Sequence, residues 1–369
     1  MLDRAMISDE MRPAMDDAER VKLSVAGLFA GIGGIEAGMR VFQHRTVVLC
    51  EILPEAQRVL AAHFGAVPIH GDIATLDELP PVELVTAGFP CTDLSQAGRT
   101  AGIQGTNSGL VQHVFRLLDS ARHEPSWLLL ENVPFMLQLD RGRAMTYLTS
   151  ELGRRGYVWA YRVVDTRCFG LPQRRQRVIL LASRRHDPRP VLFEEDAGEH
   201  EPILRDDSVF GFYWTEGLRG LGLAIDAVPT LKGGSGVGIP SAPAIWRRGL
   251  VDGPQLVTPD IRDAERLQGF NVDWTAPAVD DPSRRNGPRW KLVGNAVSVP
   301  VAQWIGERLS KPRGTIGALE DAAFNRDRAW PSAAWGRDDV ARAVHVSRWP
   351  RAETYQRLGD FPALRPAPA

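Results

Sequence analysis

The sequence predicts an α/β protein: an open sheet with helices on both faces, joined to a smaller second domain. Three observations carry this. A strand, a glycine turn and a helix follow one another between Leu23 and Val41. Successive short apolar runs are then each followed within a few residues by a polar or reactive side chain, at Glu51, Asp72, Cys91 and Glu131. From about Arg184 the periodicity fades, and residues 187 to 227 become dense in Pro, Asp, Glu and Gly. Polar groups gathered at the carboxyl ends of strands are the arrangement by which open α/β sheets form ligand crevices.

The chain of 369 residues is long enough for two domains, or for one large domain with an inserted one. Its formal net charge of −1 carries no global basic signal. Lys22, Lys232, Lys291 and Lys311 are the only lysines. An arginine bias suits bidentate contacts with carboxylate, phosphate and guanine edges, and it also follows from genome composition. Cys50, Cys91 and Cys168 are odd in number and far apart. They form no disulfide framework, no Cys/His cluster has zinc spacing, and no metal site is expected; a reducing, cytosolic compartment fits. Residues 1 to 20 read as a polar tail without the apolar core of a signal peptide, and no apolar run is long enough to span a membrane.

Taken in order, Leu23–Phe29 is a strand running into Ala30-Gly31-Ile32-Gly33-Gly34, and Ile35–Val41 is the next helix. Glycines let the backbone approach a ligand and the helix start faces it, although a plain tight turn has the same pattern. Arg45–Cys50 is the second strand, and Glu51 at its end suits hydrogen bonding to ribose hydroxyls. Asp72, after Ile69, either accepts from an adenine amino group or caps the following turn. Val82–Ala87 is a buried strand ending at Gly88, and Pro90 blocks its continuation. Cys91 is thereby held at a strand end, as a nucleophile or as a buried structural thiol. Ser95–Gly109, rich in Gly, Ser, Thr, Asn and Gln, reads as a long mobile loop able to act as a lid.

Leu110–Arg122 is an amphipathic helix, and Trp127–Leu130 a strand delivering Glu131-Asn132-Val133-Pro134. After four apolar residues the Glu131 carboxyl should be partly desolvated, which favours its protonated form; a helix N-cap role can coexist with this. Arg141–Arg155 is a helix and Tyr157–Asp165 a strand. Gln173–Arg177 leads into the strand Val178–Ala182, with Arg175 and Arg177 on one face, able to clamp an anion or a base edge or simply to be solvated. Phe210–Trp214 is an aromatic knot, and Thr230–Gly238 a glycine tract containing Lys232 that can lie along phosphates or be a plain loop. Ile261–Gly269 is a helix, Arg284–Lys291 the most basic patch, and Leu292–Pro300 opens a helix running through Leu309. Residues 311 to 369, rich in Arg, Ala, Pro and Trp, show no chemistry and read as a loosely ordered extension.

In order along residues 21 to 310, these motifs resemble the bacterial-type DNA (cytosine-5-)-methyltransferases. The resemblance is carried by the Phe29–Gly34 turn, Glu51, Asp72, Gly88-Phe89-Pro90-Cys91, Glu131-Asn132-Val133, Gln173–Arg177, Glu265–Phe270 and Gly294-Asn295-Ala296-Val297. It implies a Rossmann-like S-adenosylmethionine-dependent methyltransferase sheet over 21–186, completed by 290–310, with a target-recognition domain over 187–289. It implies S-adenosylmethionine as methyl donor, bound by Phe29, Gly31, Gly33, Gly34, Glu51, Ile52, Asp72, Ile73, Pro90, Leu110 and Asn295. The acceptor is a cytosine flipped out of a specific short sequence of double-stranded DNA, with Ser95, Thr230, Lys232, Gly233 and Gly234 facing the DNA. Cys91, Glu131, Arg175 and Arg177 become the catalytic set: thiolate addition to carbon 6 activates carbon 5, and the other three stabilise the charge that reaches ring nitrogen 3 and oxygen 2. A cytoplasmic, nucleoid-associated bacterial monomer is implied, solitary or with a restriction endonuclease encoded nearby.

The chain departs from the family pattern at Gly27, where Asp is common, at Ile52, where an aromatic is common, at Thr92 in place of Gln, and at Asn107 in place of Arg. Other readings are a tRNA cytosine-5 methyltransferase on the same motifs, a non-catalytic DNA-binding relative, and a nucleotide-dependent oxidoreductase. The last leaves Cys91, Glu131 and Gln173–Arg177 without roles.

Overall fold

The structure is a computed structural model describing residues 20–89, 109–200, 202–213, 222–233, 242–248, 254–279, 286–311, 316–317, 319–338, 340–360 and 365–366. Strand and helix alternate through the first half. β1 (Ser24–Leu28) leads to α1 (Gly34–Arg40), β2 (Arg45–Cys50) to α2 (Pro54–Phe64), and β3 (Ile69–His70) to a single turn at Ile73–Thr75. Then come β4 (Leu84–Ala87), α3 (Leu110–Ser120), β5 (Trp127–Asn132), α4 (Arg143–Arg154), β6 (Val158–Asp165), β7 (Gln173–Arg174) and β8 (Gln176–Ser183).

β3, β2, β1, β4 and β5 lie side by side, all parallel; β8 runs antiparallel beside β5, and β6 antiparallel beside β8. Every residue of β4 and β5 is buried, which explains why these strands read as unbroken apolar runs rather than alternating ones. The strand order turns back between β1 and β4. That switch point opens the crevice in which such sheets bind ligands.

Beneath the crevice, α1 buries Glu36. One carboxylate oxygen accepts from the Thr86 hydroxyl at 3.2 Å, and a Cβ on Gly27 would collide with that same oxygen. Gly27, where the family pattern has Asp, thus leaves room for an acid arriving from the helix. Burial pushes the Glu36 carboxyl up to about 7 from an ordinary 4.5, against the weaker opposing effect of its hydrogen bonds. The folded state therefore holds a proton that the unfolded chain has released. The resulting stabilisation is complete below pH 4.5 and is lost as pH rises through 7. The loss should be on the order of 3 kcal/mol. Urea midpoints between pH 5 and pH 8 should fall more steeply for the native chain than for Glu36→Gln; equal slopes would show that Glu36 is not the titrating group.

After β8, α5 (Arg189–Phe193) still packs on the first sheet, where Val191, Leu192 and Phe193 share a core with Trp304 and Leu309. Within the region expected as a second domain from residue 187, α5 thus shares the core of the first sheet. The strands of that region are β9 (Val209–Phe212), β10 (Ala224–Ile225), β12 (Ala244–Arg247) and β13 (Leu256–Thr258), while β11 (Val228–Pro229) crosses back to pair in parallel with β7. α6 (Ile261–Leu267) opens on a capping box made by Asp260 and Asp263. α7 (Gly287–Asn295) and α8 (Val299–Ser310) return the chain to the first sheet. In the patch expected to be most basic, Arg289 is buried and donates to Thr275 Oγ1 at 2.9 Å and Glu265 Oε1 at 3.0 Å. It is a structural cation there; Arg284 and Arg285 lie outside the described residues.

The segment from 311 onward, expected to be loosely ordered, instead completes both sheets. β14 (Asp321–Ala323), β15 (Ala333–Arg337) and β16 (Val340–Val344) extend the first sheet beyond β6. β17 (Arg365–Pro366) pairs with β13. Ala333 and Ala334 are fully buried, and Trp330 packs against Trp159 and Tyr161. Arg351 is shared among Glu195, Glu307 and Glu353, and Leu358 is buried in the core of the second domain. Short strands of small residues between prolines leave little periodic signal, so composition alone reads them as loop. Among the described residues no helix is long and apolar enough to cross a membrane.

Candidate active site

The carboxyl ends of β1, β2, β4 and β5 surround one cavity of about 490 Å³, a size suited to a nucleoside-containing ligand. At the end of β1, Phe29 adopts φ 54. An aromatic residue in the left-handed region is strained, and such strain collects at ligand sites. Gly31 follows at φ +57, and a Cβ there would meet nothing within 4 Å, because its open side faces the cavity. Gly33 and Gly34 do not line the cavity. They serve packing instead: a Cβ on Gly33 would strike the Phe64 ring and one on Gly34 the Val297 carbonyl.

Glu51 is buried at the end of β2. Its oxygens accept from the Gly31 amide at 2.8 Å and the Leu53 amide at 2.9 Å. Burial raises its carboxyl above the ordinary carboxylate range despite these bonds. The donors orient the group and leave lone pairs toward the cavity. Asp72 caps its own turn through Oδ1, which accepts from the Ala74 amide at 2.9 Å, so both roles expected of it are compatible. Ile52 is exposed at the rim, Ile73 is buried at the base, and Leu110 closes the wall where α3 begins. Cys50 also lines the cavity, but burial, then Glu51, pushes its thiol up to about 11, which suits an inert group.

The opposite wall belongs to β5, β8 and α7. Glu131 and Arg177 both line it, with Arg177 Nε 2.8 Å from Glu131 Oε1. The expected lone desolvated carboxyl is thus one half of a buried ion pair. Arg175 stands behind the wall. Its Nη1 donates to the Gly294 carbonyl at 3.2 Å and its Nη2 to the Ala296 carbonyl at 2.6 Å, and its buried Nε has no hydrogen-bond partner among the described residues. Burial lowers both guanidinium groups from their ordinary value, Arg175 most strongly. The two arginines expected on one face therefore point to different partners, because Arg175 falls in the break between β7 and β8.

Asn295 reaches the cavity from α7 together with Leu292 and Ala296. These last two carried no sequence-based assignment, although the three-residue spacing of Leu292 from Asn295 on a helix was an available signal for the former. Asn132 also had none. Its side-chain amide donates to the Phe89 carbonyl at 3.0 Å, and its carbonyl accepts from the Val133 amide at 2.9 Å. It ties β5 to the segment leading to residue 91. Asn132→Ala should lower turnover about tenfold with little change in cofactor affinity, since a buried acceptor loses its partner. Equal loss of both in steady-state kinetics and binding titrations would assign Asn132 to general packing. Pro90, Cys91, Thr92, Ser95, Asn107 and Gly234 lie outside the described residues, as does most of the expected lid. Thr230, Lys232 and Gly233 lie in an irregular segment beside α7: the Thr230 hydroxyl donates to the Arg174 carbonyl at 2.9 Å and the Leu231 amide to Gln173 Oε1 at 3.0 Å.

The arrangement fits a ligand with a ribose and a base. Two oriented carboxylates suit hydroxyl and amino donors, apolar side chains flank them, and Gly31 leaves its side of the cavity open. A separate charged pair, Glu131 and Arg177, suits a polar heterocycle entering the same space. Comparison with known proteins agrees. The family model described as C-5 cytosine-specific DNA methylase matches residues 23–205. The chain is 52% identical over 337 residues to the Type II methyltransferase M2.BsuMI of Bacillus subtilis, covering 89% of this chain and 85% of that one. It is 30% identical over 333 residues to the Type II methyltransferase M.NgoBI of Neisseria gonorrhoeae, covering 85% and 98%. In fold it is similar to the Dnmt2 methyltransferase of S. pombe, with a TM-score of 0.55, 19% identity, and coverage of 78% of this chain and 98% of that one.

Proposed function

Because this chain belongs to the C-5 cytosine-specific DNA methylases, whose methyl donor is S-adenosylmethionine and whose substrate is double-stranded DNA, we propose that its cavity joins a cofactor half and a base half in one reaction space. The observation that carries the reading is the Glu131–Arg177 pair opening into the same cavity as Glu51 and Asp72. In the cofactor half, Glu51 takes the ribose hydroxyls, Asp72 the adenine amino group, and Phe29, Ile52, Ile73, Leu110 and Asn295 the remaining wall, with Pro90 at the cysteine side. When bound, the cofactor supplies an electrophilic methyl group.

In the base half, a cytosine is rotated out of the duplex at a cost of roughly a few kcal/mol. The Cys91 thiolate forms a bond to carbon 6, and the electron pair displaced from the ring double bond makes carbon 5 nucleophilic. Glu131 shares a proton with ring nitrogen 3, so that the ring does not carry the full negative charge. Arg177 keeps that carboxyl oriented, and Arg175, whose Nε has no hydrogen-bond partner among the described residues, stabilises oxygen 2 and the approach of the thiolate in this reading. Carbon 5 takes the methyl group and releases its proton to water. The carbon 6–sulfur bond then breaks, returning its electron pair to Cys91.

Ser95, Thr230, Lys232, Gly233 and Gly234 face the DNA backbone in this reading. The second domain, centred on β9 to β13, selects the sequence. The chain acts as a cytoplasmic, nucleoid-associated monomer, as the modification partner of a restriction endonuclease or alone. The test is transfer of labelled methyl groups from S-adenosylmethionine to duplex DNA and, separately, to tRNA. Label on carbon 5 of cytosine in DNA supports the reading, whereas label on tRNA alone would replace the substrate.

Glu51→Ala should weaken cofactor binding about 10- to 100-fold, the worth of hydrogen bonds to a charged group, without changing DNA affinity. Calorimetric titration with S-adenosylmethionine checks this, and an unchanged affinity would remove Glu51 from the cofactor half.

A further inference from the structure

The aromatic segment after residue 209 acquires no role from the reaction itself, yet its last described residue, Tyr213, reaches into the machinery. Tyr213 is buried. Its hydroxyl accepts a hydrogen bond from the Lys232 amide at 3.1 Å, and the Lys232 ammonium lies 4.1 Å from the centre of its ring. Lys232 is exposed. The irregular segment it belongs to is held on its other sides by β7 and α7. Thr230 holds the Arg174 carbonyl and Leu231 the Gln173 side chain, and Gly233 sits so close to Gly294 that no Cβ fits between them. Tyr213 contributes the contact from the second domain.

We propose that Tyr213 is a positioning residue for DNA: it fixes the backbone and seats the ammonium of Lys232, so that this cation is presented to a backbone phosphate. The inference rests on the proposed DNA-facing role of Thr230–Gly233. Its physical logic is that of an organised cation. A lysine on a free glycine tract loses side-chain and backbone freedom when it meets a phosphate, while one already held over an aromatic face loses less. The seat is a cation–π contact at an exposed site, weak enough for a phosphate to replace it. The hydroxyl bond to the Lys232 amide remains when the ammonium leaves the ring.

The test is a double-mutant cycle with Tyr213→Phe, which removes only the hydroxyl, and Lys232→Met, read by duplex-DNA affinity across a salt series. Methyl transfer and S-adenosylmethionine affinity are measured on the same samples. Lys232→Met should lower the slope of log affinity against log salt by about 0.9, the worth of one phosphate contact. Tyr213→Phe should weaken DNA binding roughly three- to tenfold in the native background and by less than about twofold in the Lys232→Met background. Cofactor affinity should stay unchanged. Equal losses in both backgrounds, a parallel loss of cofactor affinity, or an unchanged salt slope in Lys232→Met would each overturn the proposal. Failure of the enzyme reading looks different, since the native chain would then transfer no methyl group to DNA.

Discussion

Cys91→Ser should abolish methyl transfer, lowering turnover by more than about 10⁴-fold, as expected when the nucleophile of a cooperating set is removed, while leaving DNA and S-adenosylmethionine binding within a few-fold of the native chain. The expectation follows from electron demand. Carbon 5 of cytosine is too weak a nucleophile to take a methyl group unless a bond first forms at carbon 6. A serine hydroxyl, far less acidic than a thiol, does not supply the anion. The segment leading to residue 91 is anchored through the Phe89 carbonyl by Asn132, and this bond does not depend on the thiol. Binding is therefore separable from chemistry. Gel-shift titration beside a transfer assay reads both, and normal transfer by the serine variant would rule out the covalent mechanism.

The second large effect concerns Glu131. Glu131→Gln keeps the shape and a hydrogen-bonding amide but cannot share a proton with ring nitrogen 3. Turnover should fall at least about 10²-fold, with cofactor affinity retained. Glu131→Ala should in addition lower stability by roughly 3–5 kcal/mol, because it leaves the buried Arg177 guanidinium without its partner. The contrast between the two variants in urea unfolding separates the catalytic role from the structural one. Equal stability of both would mean that a glutamine amide does not replace the carboxylate as a partner of Arg177, and an active glutamine variant would remove Glu131 from the chemistry.

Much of the crevice was legible because it follows from local pattern. Each short apolar run ends at or near the end of its strand, and the polar residue that follows is delivered to the carboxyl edge: Glu51, Asp72 and Glu131 all line the one cavity. β2 matches its expected limits, and α3 starts where expected. What was not legible depends on residues far apart in the chain. The Glu131–Arg177 pair comes from neighbouring antiparallel strands, and no periodicity announces it. Arg175 leaves the face of Arg177 because a break separates β7 from β8, and its partners are carbonyls at the end of α7. Arg289 read as part of a basic surface until Glu265 and Asp273 closed around it. The strands after residue 319 are short and poor in large side chains, so they exist by pairing with β6 and β13 rather than by any pattern of their own. Gly27 is the converse case. It departs from the family pattern, where Asp is common, and the space it leaves is the one that Glu36 occupies.

The central claim is that this chain places a methyl group on carbon 5 of cytosine within a short duplex sequence, through Cys91. Base-resolution methylation mapping of DNA from cells expressing the chain, beside cells expressing Cys91→Ser, tests it most directly. The account predicts 5-methylcytosine at one short recurring motif with the native chain and none with the serine variant. Unmethylated DNA from a folded, cofactor-binding native chain, or the same methylation pattern from both, would contradict it.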